Sequence, residues 1–423
     1  MARVVRRRWQ TDLDRGLPRR DRRSCEYEAY VPDPLVDRPI VLDADVAADV
    51  ADAERGITEL DVKASVLVDT EALARLLLRA ESVASSRIEG LEVGGRRLLR
   101  AEAARVLGEE PNDVTAAEVL GNIDAMTWAI QSVKESEPIS LDHLLGVHRR
   151  LLTGTRLAAH GGEIRMEQNW IGGSSYNPCS AAFVPPPPEL VPQLLEDLCA
   201  FCNSDTLPAV TQAAVVHAQF ETIHPFVDGN GRTGRALIHL VLRRRGLATR
   251  VIIPISLILA TRAQSYIDGL TGTRYRGPAT SRDAHDGCNR WMALFAAACR
   301  RAAADADGFE ARVRKLEHGW RERLGSIRAG SSVDLLLSAL PGAPILTVRA
   351  AAALLGRSFE ATNQAVDRLT EAGILQQVKV GRRNRAFETP DILKAFTDLE
   401  RQLASPEADT RLSPPVRSVP RQR

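Results

Sequence analysis

Residues 224–235 read HPFVDGNGRTGR. One histidine, one acid, three glycines, one asparagine and two arginines stand together, flanked by two runs of helical periodicity. The run before it is introduced by Pro208, which suits a first helical turn, and extends through Ile223. The run after it, RALIHLVLRRRG (235–246), closes on three arginines and Gly246, a favourable charge and C-cap arrangement. Gly229, Asn230 and Gly231 precede a helix expected to begin near Arg232. Glycines let a backbone approach a ligand closely, and the first N–H groups of a helix lack an internal acceptor. Together with the helix dipole they form an anion site suited to phosphate. Arg232 and Arg235, three apart, share a face and can fork onto phosphate oxygens. Asp228 offers a hard oxygen ligand for Mg²⁺. His224, preceding Pro225, is pushed out of helical geometry and is the residue type most suited to general-base work near neutral pH. A base, a metal ligand and a phosphate cradle in one turn point to attack on a nucleotide phosphorus.

The chain around this stretch has 423 residues, 44% hydrophobic and 26% charged, with a net charge of +2. That suits two or three globular domains and excludes a uniform nucleic-acid polyelectrolyte. Charge is uneven: residues 1–24 carry nine Arg against three Asp. No apolar run approaches the ~18 residues of a membrane span, and no apolar stretch follows the basic start, so neither membrane insertion nor export is expected. Six dispersed cysteines, with Cys199 and Cys202 on one helical face, read as buried thiols in a reducing, cytoplasmic compartment.

Residues 1–42 read as a basic, extended segment. Helices are expected from Ala44 to Ala64, from Asp69 to Ile88 with Gly90 as the stop, over Val114–Lys134, and from Ser140 as N-cap of LDHLLGVHRRLL. A polar, Gly-containing segment fills 91–113. Residues 154–188, with the consecutive prolines Pro185–Pro188, read as a long loop of the kind that is either functional or disordered. Helical periodicity resumes over Glu189–Phe201 and, beyond the motif, continues to about Glu322. RAGSS near Gly330 reads as a linker. Past it come helices at Ser332–Leu340, Val348–Leu355 and Glu360–Ala372, then two short strands around Gly381. The tail, with four prolines after Ser405, reads as disordered.

The motif resembles HPFx[DE]GNGRxxR of the Fic (fido) family at every fixed position. That resemblance implies a mostly α fold: a helical Fic core with a β-hairpin flap. It also implies transfer of AMP from ATP, with Mg²⁺, to a hydroxyl side chain of a target protein or of the enzyme itself. His224 resembles the catalytic base and Asp228 the Mg²⁺ ligand. Gly229, Asn230, Gly231, Thr233 and Gly234 fall in the nucleotide-binding stretch, with Arg232 and Arg235 toward the β/γ end. Doc-type phosphorylating members have Lys where this chain has Gly231, which argues for nucleotidyl transfer. GGEIRMEQNWIGG (161–173) and AAFVPPPPE (181–189) resemble the flap region, bringing Phe183 and Val184 to the nucleotide site and presenting an edge to the target peptide. SYIDGL resembles the nucleotide-side Tyr motif and places Tyr266 near adenine or ribose. SSRIEG (85–90) resembles the [ST]xxxE[GN] inhibitory motif: Ser85, Glu89 and Gly90, with Glu89 pairing Arg235 and occupying the γ-phosphate site.

The implied organisation is the basic segment 1–42, an N-terminal helical region with the inhibitory motif at 43–110, a catalytic core at 111–328, a winged helix-turn-helix at 332–400 and a tail at 401–423. In the C-terminal module, Glu360–Ala372 would be the recognition helix, and Arg382, Arg383 and Arg385 a basic wing able to meet DNA phosphates. The acids Glu360, Asp367 and Glu371 on that helix favour docking to protein instead. Two alternatives stay open: a DNA-binding regulator whose Fic core senses nucleotide, and a Fic enzyme using UTP, CDP-choline or a kinase geometry. The oligomeric state is open as well.

Overall fold

The computed structural model describes residues 1–10, 21–65, 70–106, 113–380 and 384–403. These divide into two compact units, one drawn from Met1–Glu54, Trp128–Leu247 and Gln264–Ala297 and the other from the remainder. The division cuts across the sequence boundaries at 110 and 328, because helices α1 (Ala44–Ser65), α4 (Val114–Ser132) and α11 (Arg282–Leu324) each contribute to both units.

The first unit is built on α5 (Leu141–Leu152), α6 (Val191–Cys202), α7 (Ala209–Ile223), α8 (Asn230–Arg244) and α10 (Ala263–Gly272). Helices α7 and α8 form its centre. Every residue of α7 is buried, as is all of α8 except Arg243. They approach closely at Gly234, where an added Cβ would lie 2.5 Å from Glu221 Oε1 and 2.9 Å from Phe220 Cδ1. Trp291 on α11 packs there with its indole N–H donating to Ala214 O at 2.9 Å.

The N-terminal segment departs from the extended reading. Strands β1 (Arg3–Trp9) and β2 (Cys25–Val31) pair antiparallel, in register from Arg3↔Val31 to Trp9↔Cys25. Only the first half of CEYEAYV alternates, with Glu26 and Glu28 exposed and Glu28 taking Arg6 at 3.6 Å, whereas Ala29, Tyr30 and Val31 are all buried. The pairing joins segments separated by residues outside the described set, so neither strand declares its partner locally. Cysteine usage also departs from expectation. Cys25 and Cys179 form a disulfide, their Cα atoms 5.8 Å apart across 154 residues of sequence. The other four are not disulfide-bonded, and burial raises the thiol pKa of Cys199 to about 11. The buried-thiol reading therefore holds for Cys202, Cys288 and Cys299, with Cys199 partly buried, and the pattern no longer argues for a reducing compartment. Among the described residues, no helix is long and apolar enough to cross a membrane.

The second unit contains α2 (Thr70–Ile88), α3 (Gly95–Val106), α9 (Ile255–Thr261), and a C-terminal set. That set runs α12 (Ser332–Ala339), β3 (Ile345–Leu346), α13 (Val348–Leu355), α14 (Phe359–Glu371), β4 (Gln376–Val380), β5 (Asn384–Glu388) and α15 (Pro390–Leu403). The three strands order as β3-β5-β4. Helices α3 and α15 were missed in the sequence: α3 hides in the polar segment after Gly90, and α15 follows the last strand through Pro390 at its first position. Arg97 on α3 forks onto Asp113 at 2.7 and 3.0 Å. The fully buried Glu81 on α2 accepts from Ser256 N at 2.7 Å and from its hydroxyl at 2.5 Å, seating the start of α9 on α2. Arg382, Arg383 and the tail beyond 403 lie outside the described residues.

Candidate active site

Helix α7 stops where proline dictates. His224 cannot continue the helix before Pro225 and takes φ 50°, ψ 61°, its N–H still donating to Phe220 O at 2.9 Å. The loop it opens is pinned from several sides. Arg165 is 2% exposed; its Nε donates to His224 O at 2.9 Å and its backbone N–H to Pro225 O at 2.9 Å. Asn169 Nδ2 donates to His224 O at 3.2 Å and to Phe226 O at 3.0 Å. Asn230 closes the loop on itself: its Oδ1 accepts from Phe226 N, and its Nδ2 donates to Phe226 O, both at 2.8 Å. The side chain of His224 is half-buried at this junction, and Asp228 is exposed.

Gly229 is the N-cap of α8 with φ +75°, and a Cβ there would lie 2.7 Å from Leu151 Cδ2. The helix begins at Asn230, two residues before the sequence expectation. Its first i→i−4 bond runs from Thr233 N to Gly229 O at 3.0 Å, so the amides of 230–232 precede the ladder. Arg232, 4% exposed, reaches Asp228 Oδ2 only at 3.5 Å. Its Nε and Nη1 are buried with no hydrogen-bond partner among the described residues. Buried cationic donors in that state fit an anion. Arg235 is 1% exposed one turn further along. The motif residues 224–235 are thus brought into one cradle.

Other expected residues lie differently. Tyr266 is 4% exposed, its hydroxyl 2.7 Å from His217 Nε2, with the rings stacked at 5.8 Å. It is core packing against α7, not an open face for a base, because His217 and Trp291 already cover it. The flap is a single antiparallel bridge, Ile171 with Phe183, instead of a regular hairpin. Prolines past Val184 cannot donate, and their carbonyls are taken instead: Pro185 O by Gln168 Nε2 at 3.0 Å, Pro186 O by Arg165 Nη2 at 2.5 Å. Val184 O accepts from Tyr30 N at 2.9 Å, so that position already has a strand neighbour. Phe183 carries the Arg274 guanidinium over its ring at 3.6 Å.

In the second unit, Ser85 is buried within α2, whereas Glu89 is exposed in the turn beyond it. Although four apart, the two do not share a helical face, because the helix ends at Ile88: Leu91 N returns to Ser86 O at 3.0 Å, and Gly90 takes φ +80°. Ser86 Oγ and Ser82 O instead receive Asn122 Nδ2, at 3.1 and 2.8 Å.

Sequence reading missed Arg165, Asn169, His148 and His217. No local signal marks them, since each earns its place by reaching backbone or rings far away in sequence. His148 on α5 is fully buried, and its pKa is pushed down to about 4 by that burial. His217 is lowered to about 3, first by burial and then by the Arg235 charge. A histidine held neutral in the fold, against an ordinary value of 6.5, contributes stability that is fully present above 6.5 and is lost as pH falls toward 3. His217→Gln is therefore expected to flatten the decline of the urea midpoint between pH 7 and pH 4. Parallel pH dependence in both proteins would rule this out.

Residues 138–242 match the Fic/DOC family model and 47–131 the Fic/DOC family N-terminal model. Protein adenylyltransferase fic-1 of Caenorhabditis elegans is 34% identical over 154 residues, covering 35% of this chain and 27% of the relative. Protein adenylyltransferase Fic of Drosophila melanogaster is 37% identical over 140 residues, covering 32% and 26%. The chain thus spans about a quarter of the length of these relatives. A Fic family protein from Desulfovibrio desulfuricans G20 superposes with a TM-score of 0.51 at 20% identity, covering 83% of this chain and 97% of that one, a likeness of fold. The mostly helical chain has the Fic fold, and the stretches matched by the two Fic/DOC models take in the cradle at the start of α8 and the helices before it.

Proposed function

We propose that the chain transfers AMP from ATP to a hydroxyl side chain of a target protein, or of itself. The observation that carries this reading is the buried Arg232 guanidinium, with two unpartnered donors, at the open amide end of α8 beside His224. The relatives named protein adenylyltransferase support it. ATP would lie with its phosphates on the 230–232 amides, Arg232 and Arg235. His224 accepts the proton of the target hydroxyl, whose oxygen bonds to the α-phosphorus as the bond to pyrophosphate breaks. Asp228, its carboxylate 53% exposed at the same end, fits a magnesium ion, which when bound neutralises charge on the triphosphate. Glu89 would restrain this reaction by pairing with Arg235 in place of the γ-phosphate. Incubation with α-labelled and γ-labelled ATP, with and without candidate proteins, tests the reading. Covalent α-label without γ-label is expected. Retained γ-label would mean phosphoryl transfer, and transfer only from UTP or CDP-choline would mean another donor.

For the C-terminal set we favour a winged helix that docks protein. On α14, Glu360, Gln364, Asp367 and Glu371 are exposed, as is Phe359 at 57%. Its single arginine, Arg368, donates to Leu324 O and Ser326 O, both at 3.2 Å. Such a helix offers a DNA groove acids instead of cations. Replacing Arg382, Arg383 and Arg385 together by alanine is expected to leave duplex binding by the full chain unchanged. A salt-dependent mobility shift weakened in that variant would restore the DNA reading.

A further inference from the structure

His148 touches the motif loop at three residues, and no part of the reaction proposed above uses it. Its ring is 0% exposed on α5, 80 residues from Asp228 in sequence. Nδ1 accepts from Gly162 N at 3.0 Å, so the neutral ring carries its proton on Nε2. Nε2 donates that proton to the main-chain carbonyl of Asp228 at 3.0 Å. The ring also lies flat on Phe226, with centroids 3.7 Å apart and planes 7° from parallel. Its Cδ2 would be 3.5 Å from a Cβ at Gly229, and Leu151, one turn on, fills the rest of that space. The same Gly162 contact ties the ring to the segment that leads into Arg165, which holds His224 and Pro225.

A histidine that only filled the core would need neither bond in particular. Here each nitrogen is committed to a different backbone segment, and the segment on Nε2 presents the Asp228 carboxylate and the αL turn that starts α8. We propose that His148 is a positioning residue: it holds the Asp228 carbonyl so that the carboxylate and the first amides of α8 meet a magnesium–nucleotide together. The proposal rests on the reading of this site as a nucleotide site.

Two variants separate the bonds. His148→Asn keeps an acceptor for Gly162 but loses the donor to Asp228. His148→Gln keeps a donor near the Nε2 position. Magnesium titrations of ATP binding, amide hydrogen exchange over 226–231 and over α7, and thermal midpoints are measured for both variants and the parent. His148→Asn is expected to raise the magnesium concentration for half-saturation about tenfold, the usual lower bound for losing a group that orients a metal ligand. Exchange over 226–231 should quicken while α7 stays protected, and His148→Gln should recover most of both losses. Equal magnesium requirements in the two variants, or exchange rising in α7 as much as in the loop, would reduce His148 to core packing. If the parent does not bind magnesium–ATP, the nucleotide reading falls. The exchange comparison then still decides whether His148 holds the loop.

Discussion

His224→Ala is expected to abolish covalent transfer of label from α-labelled ATP while leaving ATP affinity nearly unchanged. Loss of a positioned general base removes about 10²–10⁴-fold in rate. The side chain sits at the turn between α7 and α8, whereas the proposed phosphate cradle consists of the first α8 amides and the buried Arg232 and Arg235. Removing the imidazole leaves that cradle intact. Backbone geometry at 224 is a separate matter, because φ 50° is held by Pro225 and by the Arg165 and Asn169 bonds to the carbonyl, not by the imidazole. Alanine there carries a modest left-handed penalty on stability, of order 1 kcal/mol. Labelling rates and equilibrium binding of ATP, measured on one preparation, separate the two effects. Full labelling in the variant would remove His224 from the chemistry, and a matching loss of ATP binding would make it a binding residue.

Glu89→Gly is expected to raise labelling, including self-labelling, by more than tenfold. A tenfold change corresponds to ~1.4 kcal/mol, within the range of one charge-assisted arginine fork released to a phosphate. The position suits the test, since Glu89 is exposed and lies past the last helical residue of α2, so its loss costs the fold little. Arg235→Ala is expected to lower activity even though it would also remove the proposed inhibitory pair, because the proposed ATP site uses that guanidinium. Combining the two should rescue little, the non-additive pattern of residues that share one site. Unchanged labelling in Glu89→Gly would reduce SSRIEG to a helix end and leave the catalytic reading standing.

Much of the fold was legible because it is local. Ser140, Pro208, Gly90 and Gly246 mark helix ends through φ preferences and capping that act within a few residues, and the structure puts a helix boundary within two residues of each. The candidate site is local in the same way, its histidine, N-cap glycine and arginines all lying within residues 224–235. Reasoning by local period also produced errors. Ser85 and Glu89 are four apart, yet the chain leaves the helix between them. Tyr266 looks like a ligand-facing aromatic in sequence and proves to be core, because His217 supplies a partner for its hydroxyl. The α3 helix was hidden by arginines and glycines that a pattern of apolar residues does not weigh.

The sequence by itself determined the helical class and the ends of most helices, which follow from apolar periodicity and from capping preferences that act within a few residues. Only the tertiary structure decided which distant groups serve the cradle. Arg165 reaches the His224 carbonyl across 59 residues, His148 the Asp228 carbonyl across 80, and Cys25 bonds Cys179 across 154. Each meeting depends on packing of whole elements, and a side chain's neighbours are chosen by the surfaces that bury together, which no local pattern encodes.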